Sequence, residues 1–125
     1  MDAERELGCH SITCKMCMTR DVGTRGTLFG GNMMAWLDEA GAIFARNYTG
    51  HPHLVTVQFS ELVFKYPVRV GEIVRFVAVE PKVGRTSISF GLVGLVEDRE
   101  VIHTHCTFVA LGEDGKPAEI ARRGE

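Results

Sequence analysis

Apolar residues recur every three to four positions from about Gly31 to Asn47, and at every second position over most of the chain that follows. The first period predicts one long helix over 31–47, closed by Gly50 and Pro52 in "NYTGHP" and interrupted in its centre only by Gly41. The second predicts three or four strands, over 53–66, 72–82, 85–97 and 100–111, separated by "VGE", "KVGR" and "EDRE". "GEDGKP" at 112–117 supplies a last turn. Ahead of the helix, "ITCKMCMTR" at 12–20 reads as a strand with Ile12, Cys14, Met16 and Met18 on one side and Lys15 and Thr19 on the other, followed by turn chemistry in "DVGTRG".

One strand, one long helix and a run of antiparallel strands imply an α+β fold, a curved antiparallel β-sheet wrapped around one long central α-helix. No repeat, low-complexity tract or linker divides the 125 residues, so 1–125 is expected to be a single domain, with 1–10 and 118–125 loosely held.

Composition then removes several classes of function. Acidic and basic residues nearly cancel, 16 against 14, so no global field draws the protein to nucleic acid or to an anionic membrane. The start, "MDAERELG", is acidic where a secretory signal is basic and then apolar, and the apolar runs are too short to span a bilayer. A soluble cytoplasmic protein is expected, with Cys9, Cys14, Cys17 and Cys106 as free thiols and with no cofactor.

Candidate chemistry begins with a charge in an unusual place. On the helix, Asp38 shares its stripe with Met34, Ala35, Gly41 and Ala42, and no lysine or arginine lies within a turn to pair with it. Ala35, Ala40, Gly41, Ala42 and Ala45 thin the helix so that a sheet or another backbone can approach, whereas a solvated face carries Lys, Glu and Gln. Asp38 is therefore expected to be buried or interfacial, with its carboxyl pKa raised toward that of a general base. The helix entrance "FGGN" offers the second feature: Gly30 and Gly31 let backbone approach a ligand, and the first amides of the helix are unpaired donors, an oxyanion or phosphate site. Eight residues separate Gly30 from Asp38, roughly 12 Å along the axis. If both act on one carbonyl, two antiparallel helices across a twofold axis must supply them, giving two composite sites in a dimer.

With these residues in view, "GTLFGGNMMAWLDEAGAIFA", "FKYPVRVGE", "KVGRTS" and "FVALGEDGKP", in that order from about Asp21 to Pro117, resemble the hotdog-fold acyl-CoA thioesterases of the cytosolic acyl-CoA hydrolase type. The resemblance implies hydrolysis of acyl-CoA to a free carboxylic acid and CoA, in a homodimer assembled further into a tetramer or hexamer. It places the family's helix aspartate on Asp38 and the glycine that polarises the thioester carbonyl in Gly30 and Gly31. An asparagine common in the family three residues before Gly26 is Gly23 in this chain. Asn32 is taken as a substrate contact, and Lys82, Arg85 and Ser87 around the "KVGRTS" turn as a grip on the CoA phosphates, with Arg122 and Arg123 as the alternative grip.

Rival readings are weaker. Cys9, Cys14 and Cys17 match an iron–sulfur spacing, but side chains three apart on a strand leave opposite faces. His103 and His105, or His51 and His53, make a zinc pair without a third ligand, so no metal is expected. A hotdog dehydratase needs a histidine that the central helix lacks. The alternative from another class is a non-catalytic acyl-CoA-binding or sensor module on the same fold.

Overall fold

The computed structural model describes residues 9–121. Strand β1 (Cys9–Met16) leads through a 3-10 turn (Thr19–Asp21) into helix α1 (Gly30–Thr49), followed by β2 (Leu54–Phe64), β3 (Ile73–Val83), β4 (Ser87–Val96) and β5 (Arg99–Ala110). The strands form one antiparallel sheet in the order β1-β3-β4-β5-β2, so β1 and β2 are its edges.

One stripe of α1, with Met33, Leu37, Ala40, Gly41, Phe44 and Ala45, is buried against Phe76, Ile88, Phe90, Leu92 and Phe108 of the sheet. Each large apolar side chain withdrawn from water contributes about 1.5–3 kcal/mol. Strand β4 alternates buried and half-buried residues along its whole length, which is why its period was legible. Gly41 sets the closest approach: a Cβ there would lie 3.1 Å from Leu92 Cδ1 and from the Phe108 ring. Phe44 meets Phe90 edge-on at 4.8 Å, and Phe90 stacks on Phe108 at 5.8 Å.

Three boundaries differ from expectation. The helix runs two residues past Asn47, because Thr49 Oγ1 donates to Ala45 O at 2.7 Å and Gly50, at φ 75°, ends it by donating its N–H to Arg46 O. Strand β1 ends at Met16, and a register shift between Ser11 and Thr13 turns its side chains over. Cys14, Met16 and Met18 therefore face outward, Lys15 reaches Glu39 of α1 at 2.8 Å, and Cys17 is the buried residue. The ends are also tied in further than expected: Cys9 and His10 pair with Val79 and Ala78, and Ile120 is buried, its N–H donating to Arg85 O. No helix among the described residues is long and apolar enough to cross a membrane.

Candidate active site

The start of α1 is held from both sides. Gly26, at φ 78°, closes a tight turn in which Gly23 N–H donates to Thr27 O at 2.8 Å, and Leu28 N–H donates to Val68 O at 2.7 Å. Phe29, in extended conformation, is the N-cap, and its carbonyl accepts from the N–H groups of Asn32 and Met33 at 3.0 and 3.1 Å. The N–H groups of Gly30 and Gly31 have no acceptor among the described residues. An aromatic ring lies beside each glycine: a Cβ on Gly30 would sit 3.8 Å from Phe64 Cζ, and one on Gly31 only 2.9 Å from Phe29 Cε2. The glycine pair thus leaves two free donors flanked by two exposed rings.

Asn32, expected as a substrate contact, has another use. Its Nδ2 donates to Asp21 O at 2.9 Å, the same carbonyl that accepts from Phe29 N–H, so it pins the helix start to the 3-10 turn. The loop presents no polar side chain at Gly23, where the edge of the Phe29 ring passes 3.2 Å from the Cβ position.

Asp38 is exposed in the single chain, and the burial expected for it is absent there. Its apolar row is real but points away from the sheet: Met34, Ala35, Ala42 and Ile43 are exposed with it. Its partner is Thr56, near the start of β2, whose Oγ1 donates to Asp38 Oδ1 at 2.6 Å. Sequence reasoning missed Thr56, since nothing local links it to a residue 18 positions earlier; its one signal is a hydroxyl inside the apolar run "LVTV". Cys106 lies below on β5, opposite Phe59. Burial, and after it the charge of Asp38, push its thiol up to about 12. It stays protonated at neutral pH and is no rival nucleophile.

Gly30 and Asp38 sit at opposite ends of β2, Gly30 against Phe64 and Asp38 against Thr56. One chain does not bring them together. The "KVGRTS" hairpin lies at the Asp38 end: Ser87 pairs with Val109, which pairs with Val55 beside Thr56. Gly84 N–H donates to Ser87 O at 2.7 Å to close this turn, and Lys82 and Arg85 are exposed without an ion pair among the described residues. Arg122 and Arg123 lie outside the described residues.

The histidines are used differently from a zinc pair. His103 Nδ1 shares a hydrogen bond with Glu100 Oε2 at 2.9 Å, and Lys65 pairs with the same oxygen. Hydrogen bonds from Lys65, then His103, hold the Glu100 carboxyl below the usual carboxylate range. His53 N–H donates to His51 Nδ1 at 3.2 Å. No three His, Cys, Asp or Glu side chains gather into a metal site among the described residues.

A sheet wrapped on one helix, with free amides at its start and a carboxylate at its middle, has known counterparts. The family model of the thioesterase superfamily matches residues 25–103. The chain belongs to this superfamily. Among curated relatives, the acyl-CoA thioester hydrolase YciA of Salmonella typhimurium is 31% identical over 118 residues, covering 87% of this chain and 88% of the relative. A hexameric thioesterase from Yersinia pestis superposes with a TM-score of 0.83 at 28% identity, covering 90% of this chain and 95% of that one. An acyl-CoA hydrolase from Staphylococcus aureus, solved with butyryl coenzyme A and coenzyme A, gives a TM-score of 0.77 at 27% identity, covering 92% and 70%. That hydrolase has also been solved as an aspartate-to-alanine and as a threonine-to-alanine mutant. The thioesterase fold of this chain is the expected hotdog, five antiparallel strands around one helix.

Proposed function

We propose that this protein hydrolyses acyl-CoA thioesters at two equivalent sites of a homodimer, each built from Gly30 and Gly31 of one protomer and the partner's Asp38. The acyl-CoA thioester hydrolase activity itself comes with its family: relatives along nearly the whole chain carry that name. The observation that carries the composite site is the placement of the two half-sites at opposite ends of one edge strand.

Strand β2 has an unpaired edge, and Val55, Val57, Val63 and Phe64 are exposed along it, Val57 to 55%. Pairing two β2 strands antiparallel across a twofold axis puts the Thr56 end of one beside the Phe64 end of the other. The exposed row of Met34, Ala35 and Ala42 then meets its own copy instead of water. Both half-sites meet in the same step. Hexamers of such dimers, as named for the Yersinia pestis enzyme, are the assembly we favour, in the cytoplasm.

In each site the thioester carbonyl accepts from the amides at Gly30 and Gly31, fixed donors for the charge that develops on its oxygen. The Thr56 hydroxyl holds one oxygen of Asp38 and leaves the other to activate water or to attack the carbonyl carbon, giving a mixed anhydride that water then opens. A thiol with a pKa of about 8.5 departs as thiolate without a general acid. Lys82, Arg85 and Ser87, at the Asp38 end of the sheet, are assigned to the CoA phosphates.

Release of free thiol from acyl-CoAs by the wild type beside Asp38→Ala tests this. Turnover in the wild type and its loss in the variant is expected. Binding of acyl-CoA without turnover in the wild type makes the chain a sensor instead. For the phosphate grip, Arg85→Glu is expected to raise KM severalfold at unchanged kcat; an unchanged KM removes Arg85 from the site.

A further inference from the structure

Beside the free amides an apolar cavity opens into the core. Its volume is about 170 Å³, and Leu28, Met33, Phe64, Tyr66 and Val68 line it. Its rim is exposed, with Phe64 and Tyr66 each at 50%, and its floor is closed, Met33 and Val68 being 3% and 2% exposed. Phe64 is shared: the ring that forms the rim lies against Gly30, next to the amide donors. The wall is firm, since the backbones of Leu28 and Val68 are joined by the hydrogen bond between them.

We propose that this cavity holds the acyl chain and makes the enzyme selective for short acyl groups. The inference rests on the composite thioesterase site argued above and adds to it where the acid portion goes. A carbonyl held at the Gly30 and Gly31 amides has the cavity mouth on one side, and an apolar tail entering it leaves water while the polar CoA portion stays outside. Allowing about 30 Å³ for each water-sized group, the cavity takes about five or six carbons beyond the carbonyl. A longer chain meets the buried floor formed by Met33 and Val68. The residues that set the limit are those two together with Leu28; they bind and position the chain and have no part in bond breaking.

Profiles of kcat/KM over acetyl-, butyryl-, hexanoyl-, octanoyl- and dodecanoyl-CoA test the assignment in wild type, Leu28→Phe and Val68→Ala. In the wild type kcat/KM is expected to rise about fourfold for each methylene buried, up to about hexanoyl-CoA, and then to fall. Leu28→Phe narrows the cavity and shifts the optimum to shorter chains, while Val68→Ala deepens it and shifts the optimum to longer ones. Ratios within one variant do not depend on how much of it is folded, and the two variants move in opposite directions. Turnover with a profile that neither variant shifts, or one that climbs through dodecanoyl-CoA, overturns the cavity and leaves the thioesterase standing. Absence of turnover with every ester overturns the hydrolase reading and the cavity with it.

Discussion

The two faces of α1 are made from nearly the same residue types and do opposite things. The inner face, with Leu37, Ala40, Gly41, Phe44 and Ala45, is closed against the sheet of its own chain. The outer face, with Met34, Ala35, Ala42 and Ile43, is as apolar but exposed, and it carries Asp38. A charged side chain in an apolar row makes sense on the second face only if something beyond the chain covers that row. Small residues serve close approach on both sides: to Phe108 on the inside, and in the account above to a second helix on the outside.

The largest effect that sharpens this contrast is chemical. Asp38→Ala is expected to cut kcat by about 10²- to 10⁴-fold with an unchanged melting temperature, because no core contact is lost. A fall in Tm would make Asp38 structural. Gly41→Leu on the inner face does the reverse, driving a side chain into Phe108 and Leu92 at a cost of about 1–3 kcal/mol. Thermal melts should show a Tm about 5–10 °C lower, and an unchanged Tm breaks the packing argument. Thr56→Val keeps the shape and removes the hydrogen bond to Asp38, so kcat should fall about ten- to a hundredfold; full activity means the bond plays no part in turnover.

A charge far from both faces gives the smallest effect and the baseline. Glu100→Gln removes the carboxylate shared by Lys65 and His103. Its folded pKa lies below the unfolded value, so its stabilisation is complete above the ordinary carboxylate pKa of about 4.3 and is lost as pH falls through the folded value. The variant should melt about 1–3 °C below wild type near neutrality, in keeping with a half-exposed pair, and together with it at about pH 2.

Periodicity made the sheet and helix legible, and failed where the period slips. Strands β2 to β5 fall within two residues of expectation at each end because alternation runs unbroken along most of them, whereas the shift after Ser11 turned the β1 pattern inside out. Asp38 was found through its neighbours, yet assigned to the wrong environment, since a 3.6-residue period says which residues share a face and not what covers it. Thr56 could not be found, because it reaches Asp38 through the fold. Asn32 was assigned to substrate on residue type alone, and only the fold shows that its amide is spent on Asp21.

The central claim is that each site takes its amides from one chain and its carboxylate from another. Co-expressing two inactive variants, Asp38→Ala and Gly31→Pro, tests it most directly, as proline in the first helical turn removes the donor and is tolerated there. Half of randomly paired dimers are mixed and one site in each is intact, so about a quarter of the wild-type thioesterase activity per site should return. Mixed assemblies that form and stay inactive would contradict the account.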